Sequence, residues 1–259
     1  MDPMRLKDRI AIVTGSDSGI GQATAIAFAE EGADVVITYL EDAKGADRTR
    51  LAVEALGQRA LVMRCDQRDP KQVEKLFKEV HKKFGTPTIL VNNAGVYGPE
   101  KTVEKMALED WDNQIRTNLY GPFFCCQQFI RGLHNGHGHA TIINITSVHE
   151  EIPAKGAAAY DCAKGGLRNL TRTLALELAG KDVNVANIAP GMVLTPMNQE
   201  ALDNPKVRRE EEQSIPAKRA AEPWEIAQAA VYIASRAGWY VHGSSLVIDG
   251  GLTQNVGQV

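Results

Sequence analysis

Seven short apolar runs punctuate the chain. Between them lie longer segments in which apolar residues return every three or four positions. The runs fall at 10–14, 34–40, 60–64, 89–91, 141–146, 183–188 and 245–248. They are short, and the first, Ile10-Ala11-Ile12-Val13-Thr14, is continuously apolar, which predicts a strand buried on both faces. The intervening segments predict helices at 22–31, 42–56, 71–84, 111–133, 157–179 and 223–237. Val73, Leu76, Phe77 and Val80 show the helical spacing clearly, with Pro70 before the helix and Gly85 after it. Unbroken alternation of strand and helix predicts an α/β fold: a doubly wound parallel sheet of seven strands with helices on both faces. No repeat, low-complexity tract or linker interrupts the chain, so 1–259 is expected to be a single domain. One stretch breaks the pattern. Residues 196–214 are polar and charged with no sustained apolar period, and 193–218 is expected to act as a mobile substrate lid.

A chain of 259 residues is long enough for one full core. Its net charge of −3 gives no basic footprint for nucleic acid or an anionic membrane. No apolar run approaches the ~18 residues of a spanning helix. The N-terminal stretch has only a short apolar run before a glycine turn, unlike a signal peptide. Cys65, Cys125, Cys126 and Cys162 lack zinc-site spacing and read as reduced, mostly buried thiols. A cytoplasmic protein is expected.

The candidate chemistry centres on Ser147 to Lys164. Tyr160 and Lys164 are four apart, so a helix sets them on one face, one turn from each other. Ser147 stands at the end of the fifth predicted strand. A hydroxyl, a phenol and an ammonium brought into one volume can do acid–base chemistry at neutral pH if Lys164 lowers the pKa of Tyr160. Taken alone, Tyr-x-x-x-Lys is common by chance. Gly15-x-x-x-Gly19-x-Gly21 lies between the first strand and the first helix, where glycines let the backbone approach a pyrophosphate and the helix start offers free N–H groups. Asp66, after the third strand, can accept a hydrogen bond from an adenine amino group or serve as an ordinary loop aspartate.

With these segments in order, the chain resembles the short-chain dehydrogenase/reductase family over essentially its whole length. The resemblance is carried by Thr14 to Gly21, Asp66, Asn92-Asn93-Ala94-Gly95, Asn118 within Thr117-Asn118-Leu119, Ser147, Tyr160-x-x-x-Lys164, and Pro190-Gly191 with Thr195. Within the family, Ser147 to Pro153 and Asp249 to Thr253 look most like bacterial glucose 1-dehydrogenases and related sugar or polyol dehydrogenases. The resemblance implies a Rossmann-type domain that moves a hydride between a nicotinamide and an alcohol or carbonyl carbon. It implies that Tyr160 is the acid or base, that Lys164 favours phenolate and holds the ribose, that Ser147 bonds the substrate oxygen, and that Asn118 holds a water relay. It assigns the cofactor to Gly15, Asp17, Ser18, Gly19, Ile20 and Gly21, to Tyr39 and Leu40, to Asp66 and Gln67, and to Asn93, Ala94 and Gly95. Tyr160, Lys164, Pro190, Gly191, Val193 and Thr195 complete that set; for Thr195 a plain helix cap before Pro196 is the alternative.

Relatives that prefer NAD carry an acid at the end of the second strand. Tyr39 stands there instead, so the expected cofactor is NADP(H), with NAD(H) used less well and with Lys44 and Arg48 as phosphate partners. The expected partners are a small alcohol or carbonyl substrate and further copies of the chain, as a homotetramer. Cys125, Cys126, Phe129 and Leu133 with Leu167, Leu170, Leu174 and Leu178 are the expected surplus for a helix-pair interface. His149 and Glu150 either contact a polyhydroxyl substrate or order their loop. Asp161 departs from the small residue usual in the family and is expected to point away from Tyr160. Cys162 is read as packing. No metal is expected: His134, His137 and His139 tempt such a reading, but they join a helix to a strand at the end opposite the catalytic face.

Overall fold

The computed structural model describes residues 4–133 and 138–255. The strands are β1 (Ile10–Val13), β2 (Asp34–Tyr39), β3 (Ala60–Arg64), β4 (Ile89–Asn92), β5 (Ala140–Ile145), β6 (Val183–Pro190) and β7 (Ser245–Ile248). They form one sheet in the order β3-β2-β1-β4-β5-β6-β7, and every neighbouring pair is parallel. The helices are α1 (Gly19–Glu30), α2 (Ala43–Ala55), α3 (Pro70–Lys83), α4 (Leu108–Ile115), α5 (Gly121–Gly132), α6 (Ala158–Leu178), α7 (Gln199–Asp203), α8 (Pro205–Glu212) and α9 (Pro223–Ala234).

Successive residues of one strand enter different cores. Ala11, Val13, Val35, Ile37, Ile89 and Val91 join Phe28 of α1 and Ile226 of α9. Ile12, Val36, Leu90, Ile142 and Val185 join Phe77 of α3, Phe129 of α5 and Leu174 of α6. Two apolar layers on one sheet explain why the strands read as continuous apolar runs rather than alternating ones. Each large side chain so buried contributes about 1.5–3 kcal/mol. The strand order reverses direction between β1 and β4, and their C-terminal ends open the crevice where α/β sheets bind ligands.

A line of polar side chains crosses this apolar sheet. Asn92, Asn144, Asn187 and Ser245 are in register across β4, β5, β6 and β7. Asn92 Nδ2 donates to Asn144 Oδ1 at 2.7 Å, and Asn144 Nδ2 donates to the Thr171 hydroxyl of α6 at 2.7 Å. Thr171 donates on to Asn187, whose Nδ2 donates to the Ser245 hydroxyl at 3.0 Å. The chain of bonds fixes the strands to one another and sets α6 at one height over them.

Four expectations change. The helix expected at 111–133 begins at Leu108 and is broken: α4 and α5 flank a π-helical turn, Arg116–Tyr120. Pro122 has no N–H, so the carbonyl of Asn118, four residues before it, loses its α-helical donor, and Gly121 N–H instead bonds Arg116 O five residues back. The lid segment is helical. Asn204 caps α8 through Lys206 N–H and Val207 N–H, with Pro205 at its first position. Such a helix is specified by its cap, and an apolar stripe is not needed to start it. The apolar residues expected at an interface are largely core: Cys125, Cys126, Phe129, Leu167, Leu174 and Leu178 are buried, and Leu133 and Leu170 pack against them. The exposed apolar side chains of these helices are Leu108, Phe123 and Leu176, with Tyr120 from the π turn. Cys162, expected to pack, is likewise exposed on α6, while Cys65, Cys125 and Cys126 are buried. His134 and His137 lie outside the described residues. His139 is packed: its ring stacks on Trp239 at 3.9 Å, and its Nδ1 lies 3.0 Å from Asp182. Among the described residues no helix is long and apolar enough to cross a membrane.

Candidate active site

A cleft of about 930 Å³ opens over the C-terminal ends of the strands. Its lining includes Gly15, Asp17, Ser18, Gly19 and Ile20; Tyr39 and Leu40; Asp66 and Gln67; Asn93, Ala94 and Gly95; Ser147, Tyr160 and Lys164; and Pro190, Gly191, Val193 and Thr195. Side chains that the sequence scatters over 180 positions therefore share one wall because parallel strands deliver their ends to one side.

At the β1–α1 turn the glycines meet distinct needs. Gly15 takes φ +59°, and an added Cβ would stand 2.8 Å from Ala94 Cα. Gly21 lies inside α1, where a Cβ would stand 2.2 Å from the Gly15 carbonyl and 2.4 Å from Asn93 Nδ2. Asn93 staples the two loops, donating to Thr14 O at 2.9 Å and Gly15 O at 2.8 Å. Ser18 caps α1 with no side-chain hydrogen bond, and no acidic residue sits in the first turn. Free N–H groups beside a close glycine backbone suit a pyrophosphate. Thr195 stands at the N-cap position of the 3-10 turn Pro196–Asn198 but makes no side-chain cap bond, so its hydroxyl remains available to the cleft.

The adenosine end differs in detail from expectation. Both carboxylate oxygens of Asp66 are taken by Arg68, at 2.7–3.1 Å, so Asp66 is an ion-pair partner first. Gln67 is buried and spends its Nδ-equivalent amide, Nε2, on the carbonyls of Ala94 and Thr117. Arg48 sits 3.4 Å from Asp42 and lines a neighbouring recess, and neither it nor Lys44 borders the main cleft. Arg68 does border it, as do Glu41 and Asp42. Asp17 is held above the usual carboxylate range, chiefly by burial and also by Asp42.

At the other end, Ser147 finishes β5 and accepts from His149 N–H at 3.2 Å. Tyr160 and Lys164 project from α6 as the spacing predicts, and both are buried. Burial pushes the Tyr160 phenol up to about 12; a hydrogen bond with Ser147 works against this, and Asp161 adds to it. Burial brings the Lys164 ammonium down to about 8, opposed by Glu150. Lys164 Nζ donates to Ile145 O at 2.8 Å and lies 5.4 Å from the centre of the Tyr160 ring. Asn118, fully buried in the π turn, clasps Val96 with both amide atoms, accepting from its N–H at 2.9 Å and donating to its carbonyl at 2.8 Å. His149 does not border the cleft. Its Nδ1 lies 2.9 Å from Ile152 O, and its ring stands edge-on to Tyr160 at 6.0 Å. Asp161 accepts from Ala154 N–H at 2.9 Å, and its charge acts on Tyr160.

Residues 15–253 match the family described as Enoyl-(Acyl carrier protein) reductase. The chain is 35% identical to glucose 1-dehydrogenase 2 of Bacillus subtilis over 96% of both chains. It is 38% identical to 3beta-hydroxysteroid dehydrogenase 1 of Eggerthella lenta over 96% of this chain and 95% of that one. The solved short-chain dehydrogenase/reductase of Serratia marcescens superposes with a TM-score of 0.89 at 33% identity, covering 96% of this chain and 99% of that one. The chain belongs to the short-chain dehydrogenase/reductase family. It is an NAD(P)-dependent oxidoreductase acting on CH–OH groups.

Sequence reasoning passed over several residues of this short-chain dehydrogenase's cleft, among them Arg68, Val96, Tyr97 and Met197. Tyr97 borders it and sets its ring edge-on to Tyr160, 5.0 Å between centres at 74°. Met197 borders it from the segment after Thr195. Tyr97 follows Asn92-Asn93-Ala94-Gly95 by two positions, and that proximity was the available signal.

Proposed function

We propose that the enzyme moves a hydride between nicotinamide C4 and the secondary alcohol or carbonyl carbon of a sugar, polyol or small ketone, with Ser147, Tyr160, Lys164 and Asn118 as its machinery. The observation that carries this reading is the meeting of Ser147, Tyr160 and Lys164 on one wall of a cleft whose far end is a glycine cradle. A bound oxidised nicotinamide supplies the hydride acceptor and a further positive charge. Tyr160 takes the alcohol proton in oxidation and returns it in reduction. A phenol raised to about 12 stays protonated at neutral pH, so its ionisation depends on the Lys164 ammonium, which is charged below about 8. Ser147 donates to the substrate oxygen as charge gathers there. The Asn118 amide is spent on Val96, and Pro122 deprives its carbonyl of an α-helical donor. A water relaying protons from Lys164 is therefore held by the Asn118 carbonyl.

Hydride-transfer assays over a panel of sugars, polyols, small ketones and sterols, with both nicotinamides, test the reading. Cofactor binding without turnover of any member would make the chain a sensor instead. Val96, Tyr97 and Met197 at the substrate end, with His149 outside the cleft, favour compact apolar ketones as the second substrate class.

NADP(H) is the proposed preference. Tyr39 offers no carboxylate to repel a 2′-phosphate, and Arg68 is the cation bordering the cleft there. One or two charge-assisted hydrogen bonds near solvent give roughly 1–3 kcal/mol. Tyr39→Asp should reverse the preference in kcat/KM, and a variant still preferring NADP(H) would place the phosphate elsewhere. The proposed assembly is a homotetramer, with Leu108, Phe123 and Leu176, all at least 43% exposed, among the covered side chains. Light scattering showing a stable monomer at micromolar concentration would exclude it.

A further inference from the structure

Two loops meet beside the cleft: 96–101 after β4, which brings Val96 and Tyr97 into its lining, and 151–157 ahead of α6. Their main chains are joined, because Lys101 N–H donates to the Gly156 carbonyl at 3.0 Å. Gly156 takes φ +91°, and an added Cβ would stand 3.2 Å from Glu100 Cβ, so the loops touch at a point that admits little else. The first loop carries Tyr97, which rests edge-on against Tyr160 and donates its hydroxyl to Glu100 at 3.0 Å.

The second loop is tied to α6 by one side chain. Asp161 Oδ2 accepts from Ala154 N–H at 2.9 Å, seven residues back. Its other oxygen, Oδ1, lies 3.7 Å from His149 Nδ1 and is buried without a hydrogen bond among the described residues. His149 in turn reaches the Ile152 carbonyl at 2.9 Å. A carbonyl can only accept, so Nδ1 carries the hydrogen. Asp161 is bonded through the chain to Tyr160. The contacts therefore close a circuit: Tyr160, Asp161, Ala154, Gly156, Lys101, Tyr97 and back to Tyr160.

We infer that Asp161 is a positioning residue: its carboxylate locks the loop ahead of α6, and through it the loop after β4, to the helix that carries Tyr160, and so fixes Tyr97 where it borders the cleft. The inference rests on the reading of Tyr160 as the proton-transfer group. A small residue at this position leaves the Ala154 N–H without its acceptor and the circuit open. The carboxylate also brings negative charge beside the phenol and favours its protonated form. The other titratable or charged groups facing Tyr160 are Tyr97 from the first loop, His149 from the turn after β5, and Lys164 from α6, on which Glu150 acts in turn. Position and charge are thus two separable effects of one side chain.

Asp161→Ala and Asp161→Asn in the full chain separate them. Asparagine keeps an oxygen for Ala154 N–H and removes the charge. Asp161→Ala is expected to raise KM for the best substrate of the panel on the order of tenfold, the loss of one charge-assisted hydrogen bond, with cofactor affinity unchanged. Asp161→Asn is expected to restore KM while moving the acid limb of the kcat profile for alcohol oxidation to lower pH, because the phenol ionises more readily once the charge is gone. Amide hydrogen exchange provides a readout that needs no turnover: residues 152–157 should exchange faster in Asp161→Ala and at the wild-type rate in Asp161→Asn. Unchanged exchange and KM in Asp161→Ala would overturn the inference, as would failure of Asp161→Asn to restore either. A wild type without turnover on any substrate would overturn the proposed function, and the exchange measurement would still decide the clamp.

Discussion

Tyr160→Phe is expected to lower kcat by roughly 10²–10⁴, the usual range for a positioned acid–base group, while the protein still binds its cofactor. The variant keeps the ring and loses only the hydroxyl. The ring is what packs: it meets Tyr97 and His149 edge-on and lies near Lys164. The fold should therefore survive, and the loss is chemical. Ser147 loses its hydrogen-bond partner on the phenol but keeps the bond from His149 N–H. The measurement pairs steady-state turnover with a cofactor titration. Near-normal turnover by a correctly folded variant would remove Tyr160 from the mechanism.

Gly21→Ala is expected to weaken cofactor binding about 10- to 100-fold, since overpacking costs about 1–3 kcal/mol and each 1.4 kcal/mol is tenfold. The added methyl carbon would stand 2.2 Å from the Gly15 carbonyl and 2.4 Å from Asn93 Nδ2. Neither neighbour is a free end of a flexible side chain. Gly15 O is main chain, and Asn93 Nδ2 is held by two carbonyls at once. Relief of the clash must therefore move the β1–α1 turn or unfasten it from the loop after β4, and these are the two walls of the cradle. Calorimetric titration of the cofactor checks this, with a melting curve to establish that the variant is folded. Wild-type affinity in a folded variant would show that the cradle lies elsewhere.

The strands were legible because each is covered on both sides, which leaves an uninterrupted apolar run. Tyr160 and Lys164 were legible because a helix converts a spacing of four into a shared face. What escaped depends on approach between distant segments. Nothing local to Asp161 announces Ala154, since that bond exists only once the loop has folded back on α6. Tyr97 became visible only when its ring met Tyr160. Nor did the charge pattern around Lys44 and Arg48 reveal that Asp42 lies 3.4 Å from Arg48 or that the cleft runs past Arg68. The π turn is a different case. Pro122 stands four residues after Asn118, so its signal was present in the sequence and outweighed by helical spacing on either side.

The polar line through Asn92, Asn144, Thr171, Asn187 and Ser245 passes donation in a single direction from β4 to β7. Each interior member is both donor and acceptor, so replacing one strands the groups on either side of it. Single replacements should then be far worse than their sum implies, and a wholly apolar set introduced together should be the milder change. These positions form an epistatic block. A change from one filling of the sheet's centre to another then has to be made in concerted steps.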